Sequence, residues 1–252
     1  MRKYWLVFTN SVATWLTYRV NFLWRITGHI LSVLIIYLLW STILKSGFGA
    51  GVYSQTSLTM YYLAIAFVES FAAYDYHLVA DDIRLGYLSS DLVRPYNYYL
   101  RVFVQGLADK FMILLIFVPV FISVIKLENI GVITITLMLA VIMRFLIVLT
   151  IGGLAFWFNR VHGFHSALFT IGGLFSGELI PTDLLPAKLQ TFADILPFKY
   201  FSFVPAKYLS GNFADQNVAF NFLMQVVWII IWFLIVKLIW TKGLKKFESA
   251  GN

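Results

Sequence analysis

Long apolar runs separated by short polar interruptions organise this chain, and the length of each run limits what it can become. The runs at 30–44, 58–73, 102–125, 132–158, 164–180 and 220–239 are apolar enough to lie in hydrocarbon. A bilayer core of about 30 Å takes roughly 20 helical residues, so the first two are short and call for tilt or extension. Six crossings follow, which place both ends of the chain on one side. Residues 1–25 differ: Trp5, Leu6, Phe8, Trp15, Leu16 and Phe22 alternate with Arg2, Lys3, Arg19 and Arg25. That mixture predicts a helix lying in the headgroup region, with its aromatic residues inward. A cleaved signal peptide would need one compact apolar core and a small-residue cleavage site, and neither follows.

The densest polar stretch lies within the 74–98 loop between the second and third runs. Asp81, Asp82, Arg84, Asp91 and Arg94 crowd too much charge together for hydrocarbon. Leu85, Leu88 and Leu92 recur at helical spacing among them, and the Arg94-Pro95 step stops a helix. The expectation is a short amphipathic helix on the membrane surface that a soluble partner can grip. Ile83, Leu85, Tyr87, Leu88 and Leu92 would be its apolar residues, Asp81, Asp82 and Arg84 would set docking polarity, and Gly86 would allow close backbone approach.

The segment 181–215 changes character again. Pro181, Pro186, Pro197 and Pro205 punctuate amphipathic pieces too short to cross, and Gly177 with Glu178 stands just before them. Short, partly re-entrant helices between spans five and six are expected, packed on protein or facing water because irregular backbone is too costly in lipid.

Composition agrees with a membrane protein. Hydrophobic residues make up 60% and charged residues 12%, and mean hydropathy is +0.81. A soluble domain could not cover its surface with so few polar groups. The net charge of +7 is scattered between apolar runs, forming no arm or stripe for nucleic acid, and suits anionic lipid headgroups. Cysteine is absent, which removes disulfides, thiolate metal sites and cysteine nucleophiles. Cation asymmetry gives orientation. Arg2, Lys3, Arg19, Arg25, Arg84, Arg94, Arg101, Arg160, Lys242, Lys245 and Lys246 fall on the side of the termini. Only Lys45, Lys126, Lys188, Lys199 and Lys207 fall opposite. The positive-inside rule therefore makes the termini and the 74–98 loop cytoplasmic.

Within the apolar runs, Arg144 costs about 2.5 to 3.5 kcal/mol at mid-bilayer, so it must face protein, a partner or water. Glu69 and Asp109 are its candidate partners, and direct substrate contact is the competing role. Glu69, Arg144, Gly177, Glu178, Pro181, Pro186, Pro197 and Phe198 form the candidate pathway or gate. His29, His77, His162 and His165 show no metal-ligand spacing and read as structural.

The order of elements resembles that of type 2 permeases of ATP-binding cassette transporters. Ile83-Arg84-Leu85-Gly86-Tyr87-Leu88, followed by Leu92-Val93-Arg94-Pro95, is similar to that family's loop pattern. Phe156-Trp157, Ser176-Gly177-Glu178-Leu179-Ile180-Pro181, Leu185-Pro186 and Leu196-Pro197-Phe198 with Pro205 and Gly211 resemble its second half. The resemblance implies one permease domain, 1–252, that pairs with a second permease and docks a separate ATPase through a coupling helix between spans two and three. It also implies a multi-pass protein of the bacterial inner membrane, exporting an amphipathic, lipid or glycan-related compound. The chain has no G-x-x-x-x-G-K-[ST] loop, so ATP and Mg are expected on the partner and no cofactor here. Two rival readings are a membrane-embedded lipid-modifying enzyme and an ion-coupled secondary transporter. The first needs convergent catalytic groups, and Asp75, His77, Asp81 and Asp82 lack a catalytic spacing. The second favours matching broken helices in two halves, whereas only the second half carries the proline-rich break.

Overall fold

A helix that is apolar on every side is stable only when buried in protein or in lipid, and α7 (Ile130–Gly153) is surrounded mainly by protein. In the computed structural model, which describes residues 2–47, 51–121, 129–211 and 217–247, every side-chain position from Met143 to Gly153 is buried. Packed against α7 are α3 (Gln55–Ala72), α4 (Tyr76–Arg84), α10 (Phe198–Phe201), α11 (Phe203–Leu209) and α12 (Val218–Lys246). The described residues contain helices and no strand.

α12 is nearly as apolar as α7, yet only 11% of its apolar window is buried against 67% in α7. Its buried stripe is Asn221, Gln225, Trp232, Val236, Trp240 and Gly243. Leu223, Phe233, Leu234 and Leu238 point outward. Polar side chains fix the stripe: Gln225 donates to the carbonyls of Thr136 at 3.2 Å and Tyr200 at 2.8 Å, and Asn221 donates to the Tyr208 hydroxyl at 2.8 Å.

Among the described residues, three stretches are long and apolar enough to cross a membrane: Gln55–Arg84, Ile130–Phe156 and Val218–Lys246. The first is α3 plus α4, divided at 73–75. Lys110, on α6 (Tyr98–Phe121), donates to the Ala73 carbonyl there at 2.9 Å, placing a cation at the C-terminus of α3.

The expected boundaries shift in several places. The first helix, α1, is Arg2–Thr17, where the sequence pattern predicts one helix over 1–25; α2 (Arg19–Lys45) starts after Tyr18 and runs unbroken into the first apolar run. Nothing between Arg19 and Ile30 forces a break, so the helix simply continues. α6 starts at Tyr98 and α12 extends through Lys246, with Lys245 and Lys246 in its last turn, where cations suit the helix dipole. α8 (His162–Phe175) is shorter than the expected 164–180. The expected end of span three at Ile125, Lys126, the Phe48–Gly49 turn and the positions 212–215 lie outside the described residues.

The single amphipathic helix expected around 85–92 is replaced by two pieces. α4 ends at Arg84, Gly86 takes a left-handed φ of 79°, and α5 (Tyr87–Leu92) leaves in a new direction. The redirected chain buries Leu88 completely, while Leu85 and Leu92 stay about half exposed. Leu85, Leu88 and Leu92 therefore do not share one face, and Leu88 is core, unavailable as a partner contact. The role of Gly86 is the turn itself, which a side chain would strain.

After α8 the backbone leaves helical geometry at Gly177, φ 80°. The freed carbonyls are captured from other helices: Tyr61 of α3 donates to the Gly177 carbonyl at 2.6 Å, and Trp40 of α2 to that of Leu179 at 2.7 Å. A 3-10 turn, Thr182–Leu184, then leads to α9 (Ala187–Ile195), α10 and α11. Pro186 and Pro197 stand immediately before α9 and α10, where a missing N–H costs nothing. Asp183 ties this segment down: it accepts from the Tyr53 hydroxyl at 2.9 Å and pairs with Lys207 at 2.6 Å. Burial, reinforced by the Asp183 carboxylate, pushes the Tyr53 hydroxyl well above the usual phenol range, so it remains a donor.

Gly177→Ala is expected to lower stability by about 1–3 kcal/mol or more from backbone strain. Its added Cβ would also lie 2.5 Å from the Tyr61 hydroxyl and 2.8 Å from Phe203. Thermal unfolding of the purified protein in detergent checks this, with Gly131→Ala, which meets nothing within 4 Å, as control.

Candidate functional site: a braced arm and a buried ion cluster

The arm made by α4 and α5 is held from inside. The Asp75 carboxylate accepts from the His77 N–H at 2.9 Å and caps α4. Val79, Ala80 and Ile83 bury the inner face of α4, and Val79 lies against Gly152 of α7. Arg101 of α6 supplies the brace. Its guanidinium pairs with Asp82 of α4 and, at 3.0 Å, with Asp91 of α5, and all three side chains are largely buried. Tyr98 donates to Asp82 at 2.9 Å and Tyr96 donates to Asp91 at 2.5 Å. Burial and the hydrogen bond to Asp91 both raise the Tyr96 hydroxyl above its ordinary value. α1 joins in, with Lys3 donating to the Pro95 carbonyl and the Tyr4 hydroxyl accepting from the Asn97 N–H at 3.0 Å.

With the inner face occupied, the outer face is unusual for its apolarity. Leu85, Tyr87, Leu92 and Val93 are each exposed, Val93 at 85%. Beside them Arg84 pairs with Asp81 at 2.9 Å, both about half exposed. Of the residues singled out from the sequence, Asp81, Arg84, Leu85, Tyr87 and Leu92 are on this surface. Asp82, Ile83 and Leu88 are turned inward, so Asp82 serves the brace and not docking polarity. Arg94 reaches Tyr96 at 3.3 Å, and α5 ends before Pro95. Sequence reasoning missed Val93 and the bracing role of Arg101; two acids nine residues apart and one arginine gave no sign of meeting.

The second cluster lies between helices. Arg144 of α7 pairs with both oxygens of Glu69 on α3, and the Ser202 hydroxyl, between α10 and α11, donates to Glu69. Arg144 also donates to Ser202 at 3.1 Å and stacks on Phe201, 4.2 Å from its centre. Glu69 is thus the partner of Arg144. Glu178 is close enough for the charges of Glu69 and Arg144 to act on it. The Arg144 Nε is buried and has no hydrogen-bond partner among the described residues. Gly177 and Pro181 shape the irregular chain beside this cluster, Pro186 and Pro197 start the short helices, and Phe198 is buried against Gly172 of α8. Breaking such a pair costs about 3–5 kcal/mol, so it holds α3, α7 and the α10–α11 junction together.

Three histidines with no informative spacing gather around one ring. His162 Nδ1 lies 2.7 Å from the Tyr76 hydroxyl, and the rings of His77 and His165 each sit 4.1 Å from that of Tyr76. Among the described residues no group of histidines and carboxylates is arranged to hold a metal ion.

What stands out in this geometry is a braced outward surface on one polar arm and a charged latch between long apolar helices. No curated protein matches the chain. A family comparison matches residues 12–251 to the model described as ABC-2 family transporter protein. Nearly the whole chain, including the arm, the latch and all three long apolar stretches, is covered by that match. The protein accordingly belongs to the ABC-2 transporter family, as a multi-pass permease subunit of an ATP-binding cassette transporter.

Proposed function

We propose that the chain is one half of an exporter's membrane domain, and that the outer face of α4–α5 is where the ATPase subunit docks. Family membership implies an ATP-binding cassette ATPase as partner. The observation that carries the docking assignment is the exposed group Leu85, Tyr87, Leu92 and Val93 on an arm whose other side is clamped by Arg101. Apolar side chains exposed on a rigid support are what a partner buries, and the Asp81–Arg84 pair at the rim gives register. ATP and Mg would be bound by that partner. Closure of two ATPases would push on the arm, and through α4 on α7.

In this reading the chain crosses six times, by α2, α3, α6, α7, α8 with the following irregular segment, and α12, with both termini in the cytoplasm of a bacterial inner-membrane protein. The 14 residues of α8 span only about 21 Å, so the segment 176–186 must complete that passage as a re-entrant, externally placed piece. A second permease, identical or different, would complete the pathway. Glu69, Arg144 and Glu178 with the chain from Gly177 to Phe198 would form its gate, and the exposed apolar faces suit an amphipathic, lipid or glycan-related cargo.

Orientation is checked by cysteine labelling, since the chain has no native thiol. Val93→Cys is expected to resist an impermeant reagent in intact cells, and Lys188→Cys to react. Docking is checked by copurification. Tyr87→Asp and Leu92→Asp should insert normally and lose the ATPase at least about tenfold, equivalent to ~1.4 kcal/mol, whereas Leu88→Asp should impair folding itself. Unchanged association in both surface variants would remove the docking assignment. For the gate, Glu69→Gln or Arg144→Gln alone should destabilise by about 3–5 kcal/mol. The double variant Glu69→Gln with Arg144→Met should regain thermal stability while failing to restore permease-stimulated ATP hydrolysis. Full recovery of both would leave the pair a purely structural tie.

A further inference from the structure

Beside the arm, between α4 and the turn that follows α7, lies a cleft of about 220 Å³ whose lining is chemically one-sided. α4 contributes His77, Asp81 and Arg84, and the turn contributes Asn159, Arg160 and His162. Arg84 is already matched to Asp81 at 2.9 Å. His162 is engaged through Nδ1 with Tyr76 at 2.7 Å and through Nε2 with Ser166 at 3.2 Å. Arg160 forms no ion pair or hydrogen bond among the described residues, and it is exposed. The aspartate and arginines of the lining, Asp81, Arg84 and Arg160, leave one positive charge uncompensated, which one monoanion balances. The rim adds a second observation. Trp157, Phe158 and Phe164, which flank the lining residues Asn159 to His162 in the chain, are exposed, the two phenylalanine rings 5.0 Å apart. Cations next to exposed aromatic rings are the composition of the headgroup layer, where a ligand is charged at one end and apolar at the other.

We propose that this cleft binds the phosphodiester of an anionic phospholipid of the cytoplasmic leaflet. Arg160, with the free edge of Arg84, holds the phosphate oxygens, and Trp157, Phe158 and Phe164 cover the glycerol and upper acyl chain. A bound lipid bridges α4 to the α7–α8 turn, so it stiffens the arm against α7. The inference rests on the proposed orientation, which brings this turn to the cytoplasmic surface; it shares Arg84 with the rim of the proposed docking face, while Arg160 belongs to the cleft alone.

The test uses the purified full-length chain, delipidated in detergent and titrated with phosphatidylglycerol or phosphatidylcholine, with bound lipid counted by native mass spectrometry. The wild type should hold one phosphatidylglycerol in preference to phosphatidylcholine, whose choline cation adds to the charge of Arg160. Arg160→Gln should weaken that binding about five- to tenfold, the effect of one interfacial cation, and Arg160→Lys should recover part of it. Lys242→Gln, a basic change on α12 outside the cleft, should leave it unchanged. Equal phosphatidylglycerol binding by the wild type and Arg160→Gln overturns the proposal. Displacement of the lipid by inorganic phosphate makes this a free-anion site and overturns the lipid assignment. If Arg160→Gln keeps the lipid but loses the ATPase, the cleft receives an acidic group of that subunit and the proposal falls. Loss of the docking reading at Tyr87 and Leu92, with lipid binding intact, leaves it standing.

Discussion

Hydrocarbon supplies no hydrogen-bond partners, and that constraint accounts for the placement of the main polar groups that tie the apolar helices together. Arg144 is tolerated because Glu69 and Ser202 surround its head while Phe201 stacks on its plane. The non-helical chain after α8 is tolerated because Tyr61 and Trp40 donate to the carbonyls of Gly177 and Leu179. Gln225 and Asn221 do the same work on α12, each turned onto a partner from another helix. These contacts connect elements distant in sequence, so satisfying the polar groups and assembling the helices are one process.

α7 joins the two candidate sites mechanically. Its C-terminal end carries the arm, with Val79 packed on Gly152, and Arg144, about two turns earlier, carries the latch to α3 and the α10–α11 junction. On the arm, Arg101 converts two short helices with a glycine between them into one stiff unit by pairing with both Asp82 and Asp91. In the proposed transporter, a push on Leu85, Tyr87, Leu92 and Val93 would therefore reach α6 and α7 with little lost in the loop. A flexible loop could not do this, since its motion would be absorbed locally.

Much of the architecture is legible in the chain alone because it follows from local chemistry. Apolar runs of spanning length, the charges of the 74–98 loop and the prolines after Gly177 each impose a local condition that holds whatever the neighbours do. The loop motif with the second-half prolines carried the family resemblance, which the match over 12–251 bears out. Arg144 was recognisable as a residue in need of a partner, and Glu69 stood among the candidates because both lie in apolar runs.

What the linear pattern did not contain is which face of each element looks inward. Leucines at 85, 88 and 92 fit one helical stripe until Gly86 turns the chain, after which Leu88 is core and Val93 is surface. α7 and α12 are both strongly apolar, yet one is wrapped by protein and the other shows its side chains outward. Hydropathy measures transfer out of water and is blind to whether lipid or protein receives the side chain. The pairing of Arg101 with Asp82 and Asp91, and the gathering of His77, His162 and His165 at Tyr76, are likewise long-range meetings with no local signature. The sequence by itself determined an all-helical membrane chain with a charged loop between two apolar runs and an arginine within an apolar run that must be paired. Only the tertiary structure decided which side chains do the pairing and which remain free for a partner, because those depend on distances between segments that no local propensity encodes.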